Sequence, residues 1–124
     1  MELWNILLIL FMHTVADFVF QTDEVAKGKS SDNAILAKHI LVYSWIMVIP
    51  AGILAVGLPR VDLSAFSLWI AVNAILHFGT DYVTSRMTTH LWKKGDRHNF
   101  FVVIGFDQFA HAAALLTTYQ WLLT

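Results

Sequence analysis

Leu76-His77-Phe78-Gly79-Thr80-Asp81-Tyr82-Val83 lies inside one apolar run, and Met12-His13-Thr14-Val15-Ala16-Asp17-Phe18-Val19 lies inside another. Each puts a His and an Asp four residues apart, so in a helix both side chains leave from one face. Asp107-Gln108-Phe109-Ala110-His111 repeats the spacing in reverse order, and a further apolar run carries His39. Hydrocarbon rejects such groups: one Asp at the centre of a membrane helix costs roughly 2.5–3.5 kcal/mol on the insertion scale. Asp17, Asp81 and Asp107 together would cost about 8–10 kcal/mol, which partners inside the protein must offset. The pattern reads as an all-α integral membrane four-helix bundle built around a ligand-rich polar site.

Composition agrees. Of 124 residues, 57% are hydrophobic and only 14% charged, against about 25% charged in a soluble domain. The length fits a single transmembrane domain, 1–124. A net charge of -1 argues against a nucleic-acid partner. Without cysteine there is no disulfide, thiolate zinc site, iron–sulfur cluster or Cys nucleophile. Glu2 stands where a signal peptide has a basic region, and His13 and Asp17 interrupt the apolar run, so the first segment is expected to remain as a span.

A span needs about 20 mostly apolar residues, and the candidates are 3–21, 34–56, 65–86 and 100–123. The second is the cleanest, and Pro50 should bend it. Loop signals separate them: Lys27-Gly28-Lys29-Ser30-Ser31-Asp32-Asn33, Gly57-Leu58-Pro59-Arg60, and Lys93-Lys94-Gly95-Asp96. Asp32 or Asn33 is placed to cap the second helix. Lys27, Lys29, Lys38, Arg86, Lys93, Lys94 and Arg97 gather around the first and third loops, with Arg60 alone on the other side. By the positive-inside rule those loops are cytoplasmic, with both termini outside the cytoplasm. Trp4, Trp69 and Trp121 then fall at the outer ends, where interfacial tryptophans belong. The matching 12–19 and 76–83 segments, each followed by a basic loop and a second apolar span, suggest two repeated helical hairpins related by an axis along the membrane normal.

This topology sets His13, Asp17, His39, His77, Asp81, Asp107 and His111 at similar depth in the cytoplasmic half. Asn73 and Gln21 extend two of the stripes, Tyr43 extends that of His39, and Gln108 adjoins the fourth. Imidazoles with carboxylates suit a divalent transition metal (Zn, Mn or Fe) rather than Ca or Mg. Seven ligands exceed what one tetrahedral ion requires, so two ions are plausible, and helical bundles build such centres from inward-facing carboxylates and His. Two other uses of the same residues stand open: His/Asp pairs that only fix the bundle, and a proton or cation relay. His90 and His98 read as solvated loop residues. Lys27, Lys93, Lys94 and Arg97 read as topology determinants, and Trp45, the Phe and the Met residues as packing or lipid-facing. Lys29 follows the His13/Asp17/Gln21 stripe and is placed to meet an anionic substrate.

Taken together, His13-x3-Asp17-Phe18-x2-Gln21-Thr22-Asp23, Lys29-Ser30, His39-x3-Tyr43, His77-x3-Asp81-Tyr82 and Asp107-Gln108-x2-His111 resemble a family of small bacterial and phage membrane proteins carrying a domain of unknown function. The resemblance covers nearly the whole chain and implies the fold and the site, but no activity. Where that family has a Lys shortly after the third-helix Asp, Val83-Thr84-Ser85-Arg86 offers only Arg86. A looser similarity runs to inner-membrane proteins described as metal-dependent hydrolases, and His-x3-Asp pairs recur in helical zinc phospholipases and nucleases.

The expected function is therefore a metal-dependent membrane hydrolase acting on a phosphoester or lipid-linked substrate near the cytoplasmic interface, with water activated by the ion as nucleophile. His13, Asp17, His39, His77, Asp81, Asp107 and His111 are candidate metal ligands. Asp17, Asp81 and Asp107 are the candidate catalytic carboxylates, and Gln21, Lys29 and Gln108 the candidate substrate contacts. Membrane lipid is the expected partner, and a homodimer is plausible for so small a bundle. The alternatives are a proton or divalent-cation transporter or channel, and a non-catalytic structural or regulatory membrane protein. A conduit would need polar residues through to the outer face, where 3–11 and 112–116 offer only Asn5.

Overall fold

The computed structural model describes residues 2–57 and 63–124, and these are helical throughout apart from short turns. In chain order they form α1 (Leu3–Thr14), a π-helical turn (Val15–Val19), α2 (Asp23–Gly28), α3 (Asn33–Gly57), α4 (Leu63–Lys94) and α5 (Arg97–Leu123). The turn expected at Leu58-Pro59-Arg60, with the lone outer basic residue Arg60, lies outside the described residues. α3, α4 and α5 are each long and apolar enough to cross a membrane, while Leu3–Val19 is a shorter apolar helix.

The expected spans need three corrections. The segment expected as 3–21 does not run as one α-helix: from Val15 its backbone widens, and the Phe20 N–H reaches back five residues to the Val15 carbonyl at 3.1 Å. The stretch expected as a loop then contains α2. Thr22 Oγ1 accepts from the Val25 N–H at 3.3 Å, and Asp23 and Glu24 fill the first turn, so the helix start is capped and its dipole matched. Asp32 Oδ1 accepts from the Ala34 N–H at 2.7 Å, which starts α3 as its sequence suggested. α3 continues through Pro50.

The third correction is α4, which passes Arg86 and runs on to Lys94, about 12 Å further at helical rise. His90 and His98 are thereby helical residues, though exposed as expected. What ends α4 is Gly95, whose φ of 77° suits a residue without a Cβ. Asp96 then opens α5. Its carboxylate accepts from the Asn99 side chain at 2.7 Å and the Asn99 N–H at 3.1 Å, and these bonds hold the carboxyl below its ordinary pKa.

α4 packs along α5 and against α3, while α1 touches α3 and α5. At the end near both termini, Ile9, Phe66, Trp69, Leu115, Tyr119 and Leu123 fill the core. Trp69 is only 1% exposed, against 76% for Trp4 and 79% for Trp121. It is therefore a core residue and not the surface anchor expected. Its indole packs edge-on to Tyr119 and donates to the Leu115 carbonyl at 3.3 Å, which satisfies the one polar atom of a buried Trp.

Polarity is inverted relative to a soluble bundle. His13, Asp17, His39, Asn73, His77, Asp81 and His111 are buried, while Phe11, Trp45, Ile49, Ile53, Ile75, Phe101, Phe106 and Phe109 are exposed.

Candidate metal centre

Four helical segments deliver the polar cluster. α4 is regular at this level and carries His77 and Asp81 one turn apart, and α5 carries Asp107 and His111 likewise. Both pairs meet as the spacing predicts, with His77 Nε2 3.6 Å from Asp81 and His111 Nε2 3.4 Å from Asp107. α3 adds His39, whose Nε2 lies 3.1 Å from Asp17 Oδ1 and 3.5 Å from Asp81 Oδ2.

The first segment behaves differently. In an ideal α-helix Asp17 would stack over His13. The π turn changes that register, and the carboxylate faces α3 and α4, with His77 Nε2 at 3.4 Å. His13 instead bonds Tyr43 Oη through Nδ1 at 2.9 Å and Gln108 Oε1 through Nε2 at 3.2 Å. It stands beside the ligand groups, its ring centroid 5.4 Å from that of His111. π turns recur at functional sites for this ability to re-aim a side chain.

Two sets of ligand atoms lie within 4.8 Å of one another: Asp17, His39, His77 and Asp81, and then Asp17, Asp107 and His111. Tetrahedral bonds of about 2.0–2.2 Å to N and O place neighbouring ligand atoms about 3.3–3.6 Å apart. The His-to-carboxylate separations in the first set are 3.1, 3.4, 3.5 and 3.6 Å, the last two to different oxygens of Asp81, so each is close to such a spacing. Asp17 belongs to both sets. This donor set of imidazole and carboxylate suits Zn, Mn or Fe.

His77 is the most telling member. It is 3% exposed, and neither ring nitrogen makes a hydrogen bond among the described residues. Its ring stacks on His111 at a centroid distance of 3.9 Å and on the other side meets Tyr43 at 4.1 Å. Buried polar groups are nearly always satisfied. An imidazole held between two rings, with Nε2 3.4 Å from Asp17 and 3.6 Å from Asp81, has surroundings that could hold a cation.

The three candidate substrate residues divide. Gln108 braces two carboxylates, its Nε2 donating to Asp17 Oδ2 at 2.9 Å and Asp107 Oδ2 at 3.1 Å. Lys29, just past α2, places Nζ 2.7 Å from Asp81 Oδ2, so this basic group at Asp81 comes from the first loop. Arg86 turns away to the Tyr82 carbonyl and Asn33. Gln21 lines a cavity of about 520 Å³ that reaches Asp17, Asp81 and Asp107, and its Oε1 has no hydrogen-bond partner among the described residues.

Thr84 and Ser85 were not singled out in the sequence. Thr84 Oγ1 lies 2.5 Å from Asp107 Oδ1, and Ser85 lines the cavity. The signal was available, because Ser85 continues the four-residue spacing His77, Asp81, Ser85. Lys27 and Lys93, expected only to set topology, also line the cavity, whereas Lys94 and Arg97 do not.

A family model described as "Protein of unknown function (DUF3307)" matches residues 6–124. No curated protein and no solved structure matches the chain. With nearly its whole length covered, the chain belongs to the DUF3307 family of proteins of unknown function.

Proposed function

We propose that this protein is a metal-dependent integral membrane hydrolase whose His/Asp cluster holds one or two Zn, Mn or Fe ions and acts on a phosphoester or lipid-linked substrate at the cytoplasmic interface. The membrane part of this reading has Leu3–Val19, α3, α4 and α5 as four spans of two related hairpins in a bacterial inner membrane, with both termini outside the cytoplasm. The inverted polarity of the bundle supports it, because lipid contacts apolar side chains and intramembrane ionisable groups face inward and pair. Leu3–Val19 is the shortest of the four, at about 25 Å of helix against a hydrocarbon core of about 30 Å.

The observation that carries the metal reading is His77: buried, without a hydrogen bond among the described residues, and at ligand-edge distance from Asp17 and Asp81. When bound, a divalent ion supplies Lewis acidity and lowers the pKa of water toward neutrality. The chain's own residues do the rest. Gln108 fixes the orientation of Asp17 and Asp107, and tethers of this kind are worth about 10–100-fold in metal affinity. Lys29 offsets the carboxylate charge on the cavity side. Asp107 lines the cavity, belongs to one ligand set only, and has a side chain 14% exposed against 5% for Asp17 and 2% for Asp81. It is the carboxylate best placed to accept a proton from water.

A transit pathway fits less well. Beyond the cluster the core is closed by Trp69, Tyr119, Ile9 and Leu123, each no more than 2% exposed. Asn73 there is committed to the Trp69 carbonyl and Thr118, both at 2.8 Å. The site is a pocket open to one side.

The test is elemental mass spectrometry on detergent-purified protein prepared without a metal-affinity tag. One or two transition ions per chain, absent in Asp81→Asn, followed by ion-dependent hydrolysis of phosphoester substrates, is the expected result. A wild-type protein that takes up no ion when supplemented would overturn the reading.

A further inference from the structure

The cavity has a wall that metal binding leaves unused. It follows α4 from Asp81 past Thr84, Ser85 and Thr88 to Trp92 and Lys93, about 18 Å at helical rise. Its volume of about 520 Å³ falls within the range of ligand pockets, about 300–1,000 Å³. Hydroxyl side chains inside helices usually bond back to a carbonyl one turn earlier. Thr80, Thr84 and Thr88 all do so, to Leu76, Thr80 and Ser85. Ser85 does not. It is 8% exposed, it lines the cavity, and its Oγ has no partner among the described residues. From the first segment, half-buried Gln21 lines the same cavity, and its Oε1 has no hydrogen-bond partner among the described residues. The cavity lining thus includes a residue whose hydroxyl has no partner and another whose amide oxygen has none among the described residues.

Charge and shape narrow what would meet them. Asp17, Asp81 and Asp107 are balanced in the lining by Lys27, Lys29 and Lys93, so each divalent ion added makes the pocket positive. Farther out the lining turns apolar at Phe18, Ile104, Phe100 and Trp92, the last two with ring centroids 5.0 Å apart. Phe18 and Trp92 are each 51% exposed, which joins this wall to the outer apolar surface.

We infer that the groove receives a phosphate-headed lipid whose headgroup also donates a hydrogen bond. The phosphate accepts from Ser85 and faces the lysines, the headgroup donor meets Gln21, and the chain leaves along Ile104, Phe100 and Trp92. This names the substrate class of the proposed hydrolase and rests on that reading, since the ion supplies the excess positive charge.

The test is calorimetric titration of detergent-purified, ion-loaded protein, with ion content measured on the same sample. The ligands are dihexanoyl phosphatidylglycerol, dihexanoyl phosphatidylmethanol (equal charge, no headgroup donor), dihexanoylglycerol and inorganic phosphate. Phosphatidylglycerol should bind about tenfold tighter than each of the others, Ser85→Ala should weaken it about tenfold, and Gln21→Leu should remove its advantage over phosphatidylmethanol. Equal binding of the two phospholipids by ion-loaded wild type, or of inorganic phosphate as tightly as lipid, would overturn the inference and leave the metal site standing. So would wild-type affinity in both variants. A sample that holds no ion defeats the hydrolase reading itself, and this inference with it.

Discussion

α1 with its π turn and α4 start from the same motif and reach different ends. Each places a Trp near its beginning, then a His, then an Asp one turn on. In α4 the Trp is buried, the His has no hydrogen bond among the described residues, and the helix runs straight through the Asp for three more turns. In the first segment Trp4 faces outward, His13 is fully hydrogen-bonded to Tyr43 and Gln108, and the backbone widens at Asp17 before breaking. Only Asp keeps its role in both, since Asp17 and Asp81 each meet His39 and His77. A repeated sequence pattern thus marks residues that reach the cluster, but packing decides which of the histidines lie against the carboxylates. α4 lies between α3 and α5 and is central, while the first segment supplies a carboxylate and a brace.

The comparison can be broken most severely at the two histidines. His77→Leu should remove the bound ion, whereas His13→Leu, which cuts the bonds to Tyr43 and to Gln108 and so reaches the carboxylates only through Gln108, should weaken binding by about tenfold. Elemental analysis of both variants after dialysis against competing chelator separates them; equal loss would mean the two halves are functionally alike. If His77 has no cation to hold, replacing it with Leu should leave ion content unchanged and even stabilise the bundle, because an unsatisfied buried polar group is then gone.

Next come the two tryptophans. Trp69→Ala leaves a cavity between Tyr119 and Leu115 and should cost about 3–5 kcal/mol. Trp4→Ala should change stability in detergent by less than about 0.5 kcal/mol. Chemical denaturation of both variants followed by circular dichroism reads the difference, and similar losses would contradict the assignment of Trp69 to the core.

The links between helices differ too. The first segment reaches α3 through α2, while α4 and α5 are joined by Gly95, in the left-handed region, and Asp96. Gly95→Ala should cost about 1–2 kcal/mol, measured by the same denaturation. The smallest effect belongs to Asp96. Its bonds to Asn99 depress its pKa below the ordinary value of 3.8. Its contribution is therefore complete above that value and lost as pH falls through the depressed one. Asp96→Ala should narrow its stability gap from wild type only in acid, and a gap that instead opens as pH falls would reverse the assignment.

Much of this was legible in the sequence. The i,i+4 pairs on α4 and α5, His39, and the long helices follow from periodicity and spacing alone. The π turn did not, because residues 12–19 and 76–83 look alike in sequence although only the first widens. Residues 87–94 read as loop because hydropathy falls there, yet nothing in Met87-Thr88-Thr89-His90-Leu91-Trp92 breaks a helix, and the breaker is Gly95. The Lys29–Asp81 pair needs α2 to fold the chain back. Trp69 faces the core, a direction that only its neighbours on α5 determine.

The central claim is that the convergence on His77, Asp17 and Asp81 holds a metal ion. Elemental mass spectrometry of tag-free wild type beside His77→Leu, in one detergent and after one supplementation protocol, tests it most directly. One or two transition ions per wild-type chain and none in His77→Leu is the predicted result. An ion-free wild type, or a His77→Leu protein that keeps the full complement, would contradict it.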